Sequence, residues 1–301
     1  MTIAPGSSVR AIGARFEAAG VPLEPVLLSV LARVEGRATK LQAGTYAIPS
    51  GLSPEAILDK MESGDVVRIA LVIPEGWTFA QLRRAVATSR DLRQTLDGVS
   101  DRDLMSALGA PVLEPEGQFF PDTYQFVRGA TDLDVLRRAY RAQQKRLGDA
   151  WAARAADLPL ATPYEALILA SIVEKETGRA EDRPEVAAVF INRLRRGMML
   201  QTDPTVIYGM GVRFDGNLRR ADLTTDTPYN TYVHAGLPPT PIALPGAAAL
   251  AAVLNPPRSD ALYFVARGDG SSVFSPSLVE HNRAVDQYQR RVAPPAHGRA
   301  R

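Results

Sequence analysis

The sequence predicts an α+β protein, with a small N-terminal βα-repeat module ahead of a larger mixed α+β domain built around one buried helix. Three observations carry that prediction. A strand, a Pro/Gly turn, a Ser/Thr cap and a helix follow one another three times before residue 83. The segment Thr162–Gly178 is apolar on nearly every face between sharp helix signals. Further strand-like runs return near the C-terminus, at Leu262–Val265 and around Ser272–Phe274. Strands and helices in this order suit an α+β arrangement.

The repeated phrase begins as Ile3-Ala4-Pro5-Gly6-Ser7-Ser8-Val9. It returns as Ala47-Ile48-Pro49-Ser50-Gly51-Leu52-Ser53 and as Val72-Ile73-Pro74-Glu75-Gly76-Trp77-Thr78. Pro and Gly stop the extended run, and the hydroxyl residue caps the helix that follows. Those helices carry Val9, Ile12 and Phe16, then Ile57, Leu58 and Met61, then Leu82 and Val86 at helical spacing. Another helix is predicted over Pro25–Val34, and Val66–Ile73 is the strongest strand. Trp77 and Phe79 suit either core packing at a helix start or a sugar-stacking platform. From Arg83 to about Arg154 the pattern is mainly helical, with a break near Pro111–Gly117. The aromatic stretch Glu116–Phe126 then reads as an ordered loop on the core or as a cleft wall. Helices at Pro184–Arg196, Ala247–Leu254 and Leu278–Arg291 complete the chain. The predicted divisions are residues 1–82, residues 83–293, and a disordered tail at 294–301.

Composition narrows the function. A net charge of +2 over 301 residues makes no case for nucleic-acid binding, while the excess of Arg over Lys suits partners bearing carboxylates or phosphates. There is no cysteine, hence no disulfide framework or thiolate metal site. His234, His281 and His297 lack ligand spacing, so neither metal nor cofactor is expected. No apolar run reaches transmembrane length and no signal-peptide pattern is present, so the chain as it stands is expected to be soluble.

The chemistry concentrates at the end of the central helix. Thr162 is its N-cap, Pro163 fits the first helical position, Glu165 completes a capping box, and Gly178 is the expected stop. Glu174 and Glu176 stand in the last turn, two residues apart, so they point to roughly opposite sides. Glu176 continues the apolar row of Leu169, Ile172 and Val173, and Glu174 the smaller, more polar row of Leu167, Ala170 and Ser171. The negative end of the helix dipole and partial burial both raise a carboxyl pKa, as a general acid requires. Both glutamates also suit a solvated helix end paired with Lys175, Arg179 or Arg183. Gln118, Asn192, Gln201, Thr202, Asn230, Tyr124, Tyr229 and Tyr232 lie in segments before or after this helix and suit a polyhydroxylated or acetamido sugar. Asp203 is the nearest candidate for a second carboxylate, although Asp before Pro also suits a turn.

Longer motifs sharpen the reading. Ala170–Thr177, Val189–Leu194, Leu200–Gly209, Tyr229–Tyr232, Gly236–Pro239, Glu116-Gly117 with Phe120–Tyr124, and Glu280-His281-Asn282 together resemble, in order, the bacterial endolytic murein transglycosylases of the YceG-like family. The resemblance implies a lyase that cleaves the β-1,4 bond between N-acetylmuramic acid and N-acetylglucosamine within peptidoglycan strands, leaving 1,6-anhydro ends. It implies one glutamate acting as acid and then base, here Glu176 by its Glu-Thr dipeptide, with Glu174 the alternative. It also implies an N-terminal LysM-like module and a membrane anchor, which this chain does not show and which is expected to precede it. The expected location is the extracytoplasmic face of the inner membrane, and peptidoglycan synthases or divisome proteins are candidate partners. Gln201, Asn230 and Tyr232 are expected to contact sugar, with Tyr124 and Asp203 as further candidates. A non-catalytic peptidoglycan-binding scaffold and a muramidase using Asp203 are the competing readings.

Overall fold

The computed structural model describes residues 1–21 and 23–290. The expected tail at 294–301 and the end of the last expected helix lie outside them. In chain order the elements are β1 (Thr2–Ile3), α1 (Val9–Ala18), α2 (Pro25–Val34), β2 (Gly44–Thr45), α3 (Pro54–Glu62), β3 (Arg68–Val72), α4 (Phe79–Thr88), α5 (Asp101–Ala107), β4 (Thr123–Val127), α6 (Asp132–Ala152), α7 (Pro163–Glu176), α8 (Arg183–Arg195), α9 (Asp203–Met210), α10 (Ala247–Leu254), β5 (Tyr263–Ala266), β6 (Ser272–Ser275) and α11 (Leu278–Val285). The mixture of helices and small antiparallel sheets makes this an α+β fold. None of the described helices is long and apolar enough to cross a membrane.

Two units interleave along the chain. One takes Met1–Val72, Val86–Asp97 and Thr123–Val135; the other takes Ile73–Ala85, Gly98–Asp122 and the chain from Leu136 onward. The repeat reading ends a module at residue 82, whereas pairing of β3 with β4 draws residues 123–135 into the first unit.

In the first unit the repeat has a physical basis. Gly6 and Gly51 both take positive φ at the turn, and Ser8 and Ser53 accept hydrogen bonds from the amides of Ala11 and Ala56 at the starts of α1 and α3. The second copy differs in one respect: its strand is β2, just before the Ala47-Ile48 position expected for it. Ile12, Phe16, Leu28, Tyr46, Ile57, Leu58 and Met61 are buried together as this unit's core. β4 corrects the reading of Thr123–Phe126 as loop or cleft wall. Its Tyr124 and Phe126 are buried in alternation with exposed neighbours, and Leu71 stands opposite Tyr124 in the antiparallel ladder. A strand whose partner lies some fifty residues away has no local signal to announce it.

In the second unit α7 is central, as its composition requires. Every side chain from Ala166 to Val173 is buried, and α8 and α10 pack on it. Each fully buried Leu or Ile contributes about 1.5–3 kcal/mol. Thr162 caps α7 as expected by accepting from the Glu165 amide, while the Glu165 carboxylate reaches the amide of Ala161 rather than that of the cap. The helix also ends earlier than Gly178. Thr177 is extended, with φ −139° and ψ 128°, so Glu176 is the last helical residue and no left-handed glycine closes the turn. Phe79 is buried and stacks on Phe119 at 5.1 Å, which favours the packing role over a sugar platform. Gly117, at φ 78°, is required, since a Cβ there would lie 2.5 Å from Pro241.

Candidate functional site

The second unit holds a cavity of about 640 Å³. Its walls include Glu176 at the end of α7, Arg193 on α8, Gln201 and Asp203 at the approach to α9, Tyr232, Tyr263 on β5, and His281 on α11. Helix ends and the turns between them supply the polar wall; β5 and α11 supply Phe264, Val265 and Leu278.

Each polar member is held by a specific partner. Glu176 accepts a 2.7 Å hydrogen bond from the hydroxyl of Thr202, which is itself buried and whose amide donates to the Thr231 hydroxyl. Tyr232 donates its hydroxyl to Asp203 at 2.6 Å, fixing that carboxylate on the cavity wall. Arg193 is only 8% exposed and donates to the carbonyls of Leu262, Met199 and Leu200 and to the side chain of Gln201. Gln201 has φ 52°, the one non-glycine residue with positive φ among the described residues. Backbone held in that region is strained and persists where its surroundings over-determine it. Here the Gln201 amide donates to Thr231, and the preceding carbonyl and the Gln201 side chain both accept from Arg193.

Electrostatics raise the Glu176 pKa. Burial raises its pKa most, the Asp203 carboxylate adds to the rise, and the Thr202 hydrogen bond and the Arg193 charge oppose it. Glu174 is also pushed upward, chiefly by burial. Its surroundings are nevertheless different. The Gly246 amide donates to it at 3.0 Å, Arg183 approaches to 3.6 Å, and it continues the row in which Ser171 receives the Ile242 amide. Glu174 therefore serves the proline-rich segment before α10, and it is absent from the cavity wall.

Of the residues expected to contact sugar, Gln201, Tyr232 and Asp203 line the cavity with Glu176. Asn230 does not. It is fully buried, its amide nitrogen donates to the carbonyls of Asp222, Leu223 and Thr225, and its oxygen receives the Tyr232 amide. Tyr124 is likewise absent from the wall, being buried in β4 of the first unit. Gln118 is buried and hydrogen-bonded to Gln144, and Asn192 holds the carbonyls of Ser259 and Ala261. Arg193, Tyr263 and His281 were not anticipated on the wall. Arg193 and His281 do fall inside two of the longer motifs, which is the signal that marked them. Among the described residues no three His, Asp or Glu side chains are grouped to hold a metal ion.

Comparison with known proteins places the chain in a family. The endolytic murein transglycosylase of Bacillus subtilis (strain 168) is 32% identical, with 96% of this chain and 84% of that protein covered. The protein of the same name from Streptococcus pneumoniae serotype 2 (strain D39) is 30% identical over 94% of this chain, which spans 57% of that relative's length. The crystal structure of a YceG-like protein from Listeria monocytogenes matches with a TM-score of 0.60 at 31% identity, covering 94% of this chain and 97% of the other. The model of the YceG-like family matches residues 1–287, nearly the full length, and the chain belongs to that family.

Proposed function

We propose that this chain is an endolytic peptidoglycan lytic transglycosylase that cleaves the MurNAc-β-1,4-GlcNAc bond within glycan strands. The observation that carries this reading is Glu176: of the two carboxyls at the end of a buried helix it is the one on the wall of a polar cavity large enough for sugar, and burial raises its pKa. The names of the Bacillus and Streptococcus relatives support the substrate and the reaction class.

In the proposed reaction neutral Glu176 gives its proton to the glycosidic oxygen of the leaving GlcNAc as the C1–O bond breaks. The resulting carboxylate takes the proton of the muramoyl 6-hydroxyl, whose oxygen bonds to C1. Glu176 ends protonated, no water is consumed, and a 1,6-anhydro end is left. Gln201 and Tyr232 position the sugars, and Thr202 orients the carboxyl. Residues 1–82 form a LysM-like module, and action on peptidoglycan sets the working location at the extracytoplasmic face of the inner membrane, where synthases or divisome proteins are the natural partners.

A muramidase reading has its own support, because Asp203 shares the cavity with Glu176 and a hydrolase uses two carboxylates. Digestion of purified peptidoglycan with product masses separates the readings. Wild type is expected to release anhydro-muropeptides, Glu176→Gln none, and Glu174→Gln near-normal amounts. Reducing ends would establish the muramidase. Binding to sacculi with no new ends from wild type would leave a scaffold.

A further inference from the structure

Arg193 carries more charge than its neighbours neutralise. Its Nε and Nη1 are engaged by three backbone carbonyls and one amide oxygen, all uncharged, and no ion pair joins it to a carboxylate among the described residues. Its Nη2 makes no hydrogen bond to any described residue. A cation buried to this degree without an anion is costly, and an anion placed beside it by a bound substrate would relieve that cost. The two nearby acids form no ion pair with it: the Glu176 carboxyl accepts from Thr202, and Asp203 accepts from Tyr232.

The same wall offers a second vacant donor. His281 stacks on Tyr263 at 5.3 Å, the same ring over which the Arg193 guanidinium sits at 5.1 Å. Its Nδ1 is buried without a partner. Its Nε2 also has no partner among the described residues, so in the tautomer that carries the proton there the ring offers a free N–H.

We propose that Arg193 and His281 form a receptor for a carboxylate carried by the substrate, in the cavity that holds Glu176. The proposal rests on the reading of this chain as a peptidoglycan-cleaving enzyme. Two sources offer that group: the lactyl carboxylate of a muramoyl residue stripped of its peptide, or a carboxylate of the stem peptide. Guanidinium binds carboxylate through paired, charge-assisted hydrogen bonds, which a neutral amide does not match.

The test uses the full chain and four soluble glycans in two acid and amide pairs: strands stripped by an amidase and the same strands with lactyl carboxylates converted to methylamides, then peptide-bearing strands without and with amidated peptide carboxylates. Anhydro-end release is expected to show kcat/KM about tenfold higher on one acid form than on its amide. Arg193→Gln is expected to abolish that preference, and His281→Gln, which spares the struts made by Arg193, to reduce it. The pair that discriminates identifies the source. Equal rates on every acid and amide pair by wild type would overturn the receptor, as would an Arg193→Gln or His281→Gln enzyme that keeps full discrimination. Binding of the same strands to Glu176→Gln, followed by calorimetry, separates the two readings. Acid-selective binding with no cleavage by wild type would leave the receptor standing and remove the enzyme.

Discussion

The hydroxyl of Thr202, the residue before α9, donates to Glu176 Oε1, on the last residue of α7, across 2.7 Å. A hydrogen bond to the carboxylate favours the charged form, so this contact both orients the acid and restrains the rise of its pKa. Thr202→Val keeps the shape and removes the donor. It is expected to lower kcat about tenfold and to move the alkaline limb of the pH–rate profile upward, while Thr202→Ser restores both. An unmoved limb in Thr202→Val would mean that Glu176 is not the titrating acid.

Gln201 should show a trade between stability and activity. Glycine at this position relieves a left-handed backbone worth about 1 kcal/mol but loses the 3.3 Å contact from Arg193. Gln201→Gly is therefore expected to unfold within about 1 kcal/mol of wild type in urea and to release glycan ends several-fold more slowly. A stability loss well beyond that would make the side chain a strut of the fold instead of a sugar contact.

Asn230 should behave in the opposite way. Asn230→Ala removes the buried amide that holds three carbonyls and the Tyr232 amide, at a cost of about 2–4 kcal/mol. Thermal and urea melts are expected to register the full loss. Tyr232→Phe removes only the Asp203 contact, so it should reduce activity with little change in melting temperature.

Stability should fall as pH rises toward neutrality. Burial lifts the Glu116 carboxyl from 4.5 to about 7, against hydrogen bonds from the Phe79 amide and the Tyr208 hydroxyl. Between those values the folded chain holds a proton that the unfolded chain has released. The contribution is complete below the unfolded value and is lost as pH climbs through about 7, a total of order 3 kcal/mol. Glu174 and Glu176 are shifted in the same direction and steepen the slope. Urea melts at pH 5 and pH 8 measure it. Glu116→Gln accepts the Phe79 amide without titrating and should flatten it; an unchanged slope would show that Glu116 is not its source.

Several elements were legible because their signals are local. α2 and α10 run over the predicted residues, Pro25–Val34 and Ala247–Leu254, and the caps at Ser8, Ser53 and Thr162 are formed by the hydroxyls that marked them. β4 was not legible, because its alternation makes sense only beside β3. Asn230 and Asp203 show the same limit at the site. Both are polar residues in turn-rich segments, yet one is consumed by backbone carbonyls and the other stands on the cavity wall.

The sequence alone determined that a helix apolar on every face must be buried and that it ends in two carboxylates aimed in different directions, since both follow from the 3.6-residue turn. Which carboxylate meets a cavity was decided only by tertiary structure. Gly246 and Arg183 reach Glu174 from segments distant in sequence, and Thr202, Arg193 and His281 converge near Glu176 from three separate elements. Desolvation and hydrogen bonding depend on that convergence, and no pattern along the chain encodes it.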